Sequence, residues 1–89
     1  MRFEQQFGSN LRYLRRRAGL SQEELAFRAN LHRTAVGMLE RGVRVARVDT
    51  LIKLAGALGV TPDELLDGLS WKPAEPISGT FHFDEPPEP

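Results

Sequence analysis

The chain contains no cysteine, so it can form neither a disulfide bond nor a thiolate metal site. This absence excludes a small secreted protein that is held together by disulfides. The 89 residues contain no apolar run near the roughly 18–20 residues that span a bilayer, so we expect no membrane-spanning helix. The opening segment, MRFEQQFGSN, lacks the apolar core of a signal peptide. We therefore expect one small cytoplasmic domain.

Histidine is also scarce, since His32 and His82 are the only two in the chain. The sequence shows no Ser/His/Asp arrangement, no metal-ligand spacing and no glycine-rich phosphate loop. We therefore predict that the protein is not an enzyme. We predict no catalytic residue, no metal site and no cofactor.

Charge of one sign is not in excess, because the net charge is zero, but its distribution is uneven. Nine arginines and three glutamates give residues 12–47 a net charge of +6. Residues 48–68 and 69–89 each carry a net charge of −3. A localised basic surface is typical of a protein that binds a polyanion, although an ordinary solvated surface explains the charge equally well.

Apolar residues recur every three or four positions near the start of the chain, which predicts a first helix over about 3–18. This stripe consists of Phe3, Phe7, Leu11, Leu14 and Ala18. A later stripe of the same spacing predicts another helix, which Gly59 ends. The later stripe consists of Val48, Leu51, Ile52, Ala55 and Leu58.

Two further segments carry a complete helix start. Ser21 is the predicted cap of one helix, and Glu24 closes its capping box. Thr61 and Glu64 repeat this arrangement and begin a short helix that ends at Gly68. With the two stripes and the segment described next, residues 1–68 read as five short helices.

The helix that begins after Ser21 ends at about Ala29, and a short turn around Asn30 leads to a third helix over about 33–41. Two helices joined in this way form a helix-turn-helix. A helical wheel of the third helix directs four side chains inward: Ala35, Val36, Leu39 and Glu40. The residues that it directs outward are Arg33, Thr34, Gly37, Met38 and Arg41. Since this outward face contains no acid, it is compatible with the major groove of DNA.

The segment LRYLRRRAGLSQEELAFRANLHRTAVGMLERG, followed by VDTLIKLAGALGVTPDELL, closely resembles the helix-turn-helix domain of the phage lambda-repressor and Cro type, also called the xenobiotic-response-element family. The resemblance covers about residues 7–67. It implies an all-α, five-helix fold that binds operator DNA sequence-specifically, usually as a homodimer. The implied function is a transcriptional regulator, and we predict a repressor that binds a near-palindromic site in double-stranded DNA.

The resemblance also makes the third helix the recognition helix. Arg33, Thr34 and Met38 match its base-reading positions, with Gly37 between them. Alternatives stay open: Arg33 contacts only phosphate, Thr34 merely starts the helix, or Met38 belongs to a dimer surface. Family members commonly carry a larger polar residue at the position of Gly37. That glycine either lets the helix approach DNA closely or leaves a gap.

Other residues have supporting roles by the same resemblance. Gln22 matches a position that contacts phosphate and braces the recognition helix, with a merely solvated residue as the alternative. Arg15 and Glu40 match an ion pair that ties the first helix to the third, a structural role. Apart from the resemblance, the basic residues Arg44 and Arg47 are predicted to contact phosphates beside the groove, with a merely solvated loop as the alternative, and Arg41 and His32 complete the predicted DNA contacts. His32 stands where the family commonly has serine, and it is read as a phosphate contact or a makeshift cap.

The composition changes at residue 69, so we divide the chain into a helix-turn-helix domain at 1–68, with its motif at about 21–41, and an acidic, proline-rich tail at 69–89. Prolines interrupt any helix in the tail, and only the segment SGTFHFD resembles a β-strand. The residues that would share one face of this strand are Ile77, Gly79, Phe81 and Phe83.

Three interpretations of the tail stay open. It is disordered, or its strand pairs with a second subunit or folds back on its own domain. Alternatively, the protein is of the antitoxin type, whose tail binds a partner protein while the domain binds DNA. Trp71, just beyond the last helix, is expected to pack on the domain rather than to mark a ligand site.

Overall fold

The computed structural model describes residues 2–74 and 78–83, which form five helices followed by two strands. The elements are α1 (Phe3–Arg17), α2 (Gln22–Ala29), α3 (Arg33–Glu40), α4 (Val48–Leu58), α5 (Pro62–Leu65), β1 (Leu69–Ala74) and β2 (Ser78–Phe83). The five predicted helices are confirmed. The last of them ends earlier than predicted, because turn residues rather than helix occupy 66–68. Within the described ranges, no helix is long and apolar enough to cross a membrane.

The ends of α2 and α4 follow the signals in the sequence. The hydroxyl of Ser21 accepts the Glu24 backbone N–H at 3.0 Å, and the Glu24 carboxylate accepts the Ser21 backbone N–H at 2.8 Å. Asn30 and Gly59 take left-handed backbone conformations, with φ of 55° and 70°, and so end α2 and α4. The predicted box at Thr61 is also present.

All five helices contribute to one apolar core. Its members with no exposed surface include Leu11, Leu25, Val36, Leu54 and Leu65, one from each helix. Gly8 brings α1 directly onto the last turn of α3, because a Cβ added there would lie 2.5 Å from the carbonyl oxygen of Leu39. α3 also packs against α2, so it lies between α1 and α2.

Three residues of the apolar stripes are exposed and do not lie in the core. Ala18 is exposed because it lies beyond the last residue of α1. Val48 and Ile52 are 77% and 55% exposed, because α4 turns Ala55 and Leu54, which lies outside the stripe, toward the core. The side of α4 that carries Val48 and Ile52 is thus an exposed apolar surface.

The tail forms a β-hairpin rather than a single strand. β1 pairs antiparallel with β2, and Trp71 stands opposite Phe81 in the register. The strand predicted at SGTFHFD is confirmed as β2, whereas the sequence did not predict β1 because Pro73 argues against a strand there. A two-stranded sheet has only edge strands, which tolerate a proline, and Pro73 stands opposite Gly79. The predicted position of Ile77 lies outside the described residues.

Aromatic contacts fix the hairpin on the helical domain. The Phe81 ring lies 4.9 Å from the Phe3 ring at the start of α1, measured between centroids. The Trp71 ring meets Phe81 edge-on at 5.1 Å and covers Gly79, where an added Cβ would collide with the indole. Trp71 therefore packs on its own hairpin and stays 56% exposed, while Phe81 contacts the domain. This part of the tail folds back on its own domain.

Candidate nucleic-acid interface

The structure divides α3 into two faces. Val36, Leu39 and Glu40 are buried, with 0%, 2% and 5% exposure, whereas Arg33 and Thr34 are exposed. The exposed side chains start at the first turn of the helix, where an HTH protein presents residues to base edges. The buried side chains leave them free of any packing role.

A buried carboxylate anchors α3 to α1. The Glu40 side chain has no exposed surface and receives two charge-assisted hydrogen bonds from Arg15, at 2.6 Å from Nε and 2.9 Å from Nη2. The remaining Arg15 nitrogen, Nη1, donates to the Leu20 carbonyl at 2.9 Å. The hydrogen bond to Glu40 raises the pKa of Arg15 against the opposing effect of desolvation. This forked geometry fixes the rotation of α3 on the domain.

Gln22 joins the same carboxylate from α2. Its amide nitrogen donates to Glu40 Oε1 at 3.2 Å, and Arg12 Nε lies 3.6 Å from that oxygen. Because a carboxylate only accepts hydrogen bonds, this contact turns the Gln22 oxygen away from Glu40 and toward Gly37. Gln22 thus braces α3 at the first residue of α2. Its contact with phosphate stays a prediction.

Five of the predicted site residues surround one shallow groove on the outer side of α3, with a volume of about 290 Å³. They are Gln22, Arg33, Thr34, Gly37 and Arg41. Gly37 forms part of the floor, where its own backbone is buried beneath the side chains of Gln22 and Arg41. The face therefore presents one arginine side chain on each side of a glycine.

Arg33 has an acidic neighbour that the sequence did not indicate. Its Nη1 lies 3.1 Å from a carboxylate oxygen of Glu23, and both side chains are largely exposed, at 67% and 71%. The outward face of α3 itself has no acid, but α2 supplies one next to it. Since exposed pairs contribute only about 0–1 kcal/mol, a stronger acceptor readily displaces Glu23. The spacing of residues along the sequence does not predict this contact, because it joins two separate helices.

The other predicted site residues lie around the groove rather than in it. His32 is the N-cap of α3, where its carbonyl oxygen accepts two backbone N–H groups while its side chain makes no capping bond. Met38 is half-buried, and Arg44 is exposed in the segment between α3 and α4. Arg47 stands at the N-cap position of α4, where its side chain makes no capping bond and instead pairs with Asp49 at 3.3 Å.

The part of the chain that contains this groove is similar in sequence to known helix-turn-helix proteins. The model of the helix-turn-helix family HTH_3 matches residues 11–65. The chain is 45% identical over 62 residues to the control protein C.BamHI of Bacillus amyloliquefaciens, which covers 68% of this chain and 76% of the relative. It is 48% identical over 59 residues to the HTH-type transcriptional regulator y4dJ of Sinorhizobium fredii, covering 66% and 77%.

A solved structure extends the comparison to the fold. The restriction-modification controller protein C.AhdI from Aeromonas hydrophila superposes with a TM-score of 0.68 at 48% identity. The match covers 70% of this chain and 94% of that one. The matched HTH_3 region spans the core of the helical domain and stops before β1 begins.

Proposed function

We propose that this chain, which belongs to the helix-turn-helix family HTH_3 and is a DNA-binding transcriptional regulator, recognises its operator by placing α3 in the major groove. One observation carries the proposal. The exposed donors of α3 surround a single groove while the buried Glu40 fixes the helix beneath them. Such a rigid, donor-rich helix face suits the acceptor-rich edges of base pairs.

Arg33 is proposed to read a base. After leaving Glu23, its guanidinium donates to the O6 and N7 atoms of a guanine. Thr34 contacts a base or a phosphate beside it, and Met38 packs on a thymine methyl group. The proposed phosphate contacts are Gln22, His32, Arg44 and Arg47, of which Arg47 must first leave Asp49.

A homodimer is proposed as the DNA-bound form. Val48 and Ile52 leave an apolar side of α4 exposed, and a second copy of the chain would cover it. In a two-fold dimer, the two recognition helices lie about 34 Å apart, one turn of DNA, and the site is near-palindromic.

The regulated genes are proposed to be those of a restriction-modification system. Two of the relatives, C.BamHI and C.AhdI, carry the names of a control protein and a restriction-modification controller protein. These relatives do not support the antitoxin alternative, and the hairpin of the tail packs on its own domain. A regulator of this family acts on DNA rather than as an enzyme, and the proposed location is the cytoplasm.

The first experiment selects duplexes from a random pool with the wild-type protein. An enriched near-palindrome is expected, and a pool without enrichment would contradict operator recognition. Affinity for the selected duplex should fall steeply as salt rises, because each neutralised phosphate contributes about −0.9 to the logarithmic slope. A reporter placed downstream of that duplex then tests the repressor prediction, since a repressor lowers its expression.

Arg33→Ala tests the base-reading role. It should cost about 1–3 kcal/mol of binding to the selected duplex while binding to random DNA changes little. Arg28→Ala is the matched control, because it removes the same charge from an exposed position in the last turn of α2, outside the predicted site. An equal loss on both duplexes with Arg33→Ala would leave a phosphate contact instead.

A further inference from the structure

The outward face of α3 has a glycine where a side chain would be expected. We infer that Gly37 acts through Arg41: the missing side chain makes room for the Arg41 guanidinium, and Arg41 reads a guanine at the place that residue 37 would occupy. This inference rests on the proposed function. It adds a specificity-determining pair, in which one residue supplies the space and the other the donors.

Geometry places the guanidinium over the glycine. A Cβ built on Gly37 would lie 3.3 Å from Nη1 of Arg41 and 3.8 Å from Oε1 of Gln22. These two side chains bury the glycine although it belongs to the outward face. Arg41 lies one helical turn further on, and side chains on a helix lean toward its N-terminus, so its guanidinium returns to the middle of α3. A larger side chain at position 37 would displace it.

The Arg41 guanidinium is available for an acceptor. In the described ranges of the chain it has no carboxylate oxygen within 4.0 Å, unlike Arg33, which pairs with Glu23, and Arg47, which pairs with Asp49. Its planar fork of donors matches the O6 and N7 atoms of guanine. Arg41 can therefore bind a base edge without first giving up an ion pair.

Gln22 defines the second side of this arrangement. Its amide nitrogen is engaged by Glu40, so its oxygen is the atom that faces Gly37. The Gln22 oxygen and the Arg41 guanidinium therefore both border the space that a side chain at position 37 would fill. The buried Glu40 orients Gln22 on one side of that space.

This reading competes with a simpler role for Gly37, in which the absent side chain lets the α3 backbone approach DNA. A double-mutant cycle separates the two roles. It uses the duplex selected by the wild-type protein and a set of duplexes in which one G·C pair at a time is replaced by A·T. The variants are Gly37→Leu, Arg41→Ala and their combination, with Arg28→Ala as the charge control. A Cβ at position 37 meets only the ends of the flexible Arg41 and Gln22 side chains within 4 Å, so we expect Gly37→Leu to fold, and circular dichroism checks this.

Arg41→Ala is expected to weaken binding to the selected duplex about 10- to 100-fold and to abolish the preference for guanine at one position of the half-site. Gly37→Leu should cause a similar loss in the presence of Arg41. In the Arg41→Ala background its further effect should stay below about threefold, because the displaced group is already gone. Arg28→Ala should leave the preference at every position unchanged.

Two results would overturn the inference. If Gly37→Leu weakens binding equally in both backgrounds, the glycine serves close backbone approach. If Arg41→Ala weakens binding to all duplexes alike, Arg41 contacts phosphate and reads no base. Either result leaves the proposed function intact, since that function fails only when the wild-type protein enriches no sequence.

Discussion

The ion pair between Arg15 and Glu40 should contribute most to holding α3 on the domain. Truncating Arg15 to alanine would leave a carboxylate whose side chain has no exposed surface. Removing one partner of a buried pair costs about 3–5 kcal/mol, because the other charge stays desolvated. A domain of this size has a total unfolding free energy of roughly 5–10 kcal/mol, so we expect Arg15→Ala to remove a large part of it.

Replacing the other partner, Glu40, by the uncharged glutamine should lower the unfolding free energy by less than Arg15→Ala does. With Glu40→Gln, the guanidinium of Arg15 keeps its hydrogen bond to the Leu20 carbonyl, and its side chain is already 12% exposed to water. We expect a loss of about 1–3 kcal/mol, near the range for an unsatisfied buried group. This asymmetry follows from the different burial of the two partners.

Urea unfolding followed by far-ultraviolet circular dichroism measures both losses. The protein concentration must be the same for all variants, because a dimer links stability to concentration. Arg15 and Glu40 contact each other directly, so the variant with both substitutions should lose less than the sum of the two single losses. A loss under about 1 kcal/mol for Arg15→Ala would refute the reasoning, since that value is typical of a solvent-exposed pair.

Two further predictions concern the helices. Gly56→Ala should raise the unfolding free energy by about 0.5–1 kcal/mol, because nothing lies within 4 Å of the added Cβ. Gly37→Ala should raise the unfolding free energy by a smaller amount, because its Cβ would lie 3.3 Å from Nη1 of Arg41. Calorimetry measures both changes, and equal gains would contradict that contact. Hydrogen bonds from the backbone N–H groups of Ser21 and Thr61 lower the pKa of Glu24 and Glu64 respectively, in the folded state. The stability they add is therefore complete above the ordinary pKa of 4.5 and is lost as the pH falls through the folded values. The melting temperature should decline below about that pH, less steeply in Glu24→Gln, and a flat profile to pH 3 would contradict this.

The helices could be predicted from the sequence because their signals are local. Ser21 and Glu24 stand three positions apart, so the capping box is visible without knowledge of the fold. Asn30 and Gly59 mark helix ends for the same reason, since few residues tolerate a positive φ. The division of α3 into an outward and an inward face likewise follows from its periodicity alone.

Contacts between elements could not be predicted in this way. Glu23 reaches Arg33 across the turn between two helices, and β1 becomes a strand only because β2 pairs with it. The exposure of Ile52 depends on how α4 rotates against its neighbours, which the apolar spacing does not fix. The covering of Gly37 also depends on a side chain that returns from the following turn.

The third helix illustrates how tertiary contacts replace intrinsic helix propensity. It has no side-chain cap at His32 and a glycine in its middle, and both features disfavour an isolated helix. The buried carboxylate of Glu40 and the close approach of Gly8 hold it in place instead. Because these anchors all lie on the inward side, substitutions on the outward side should change DNA preference while costing little stability. Arg15→Ala should have the opposite profile: it loosens α3 as a whole, so it should weaken binding to every duplex without changing which base is preferred.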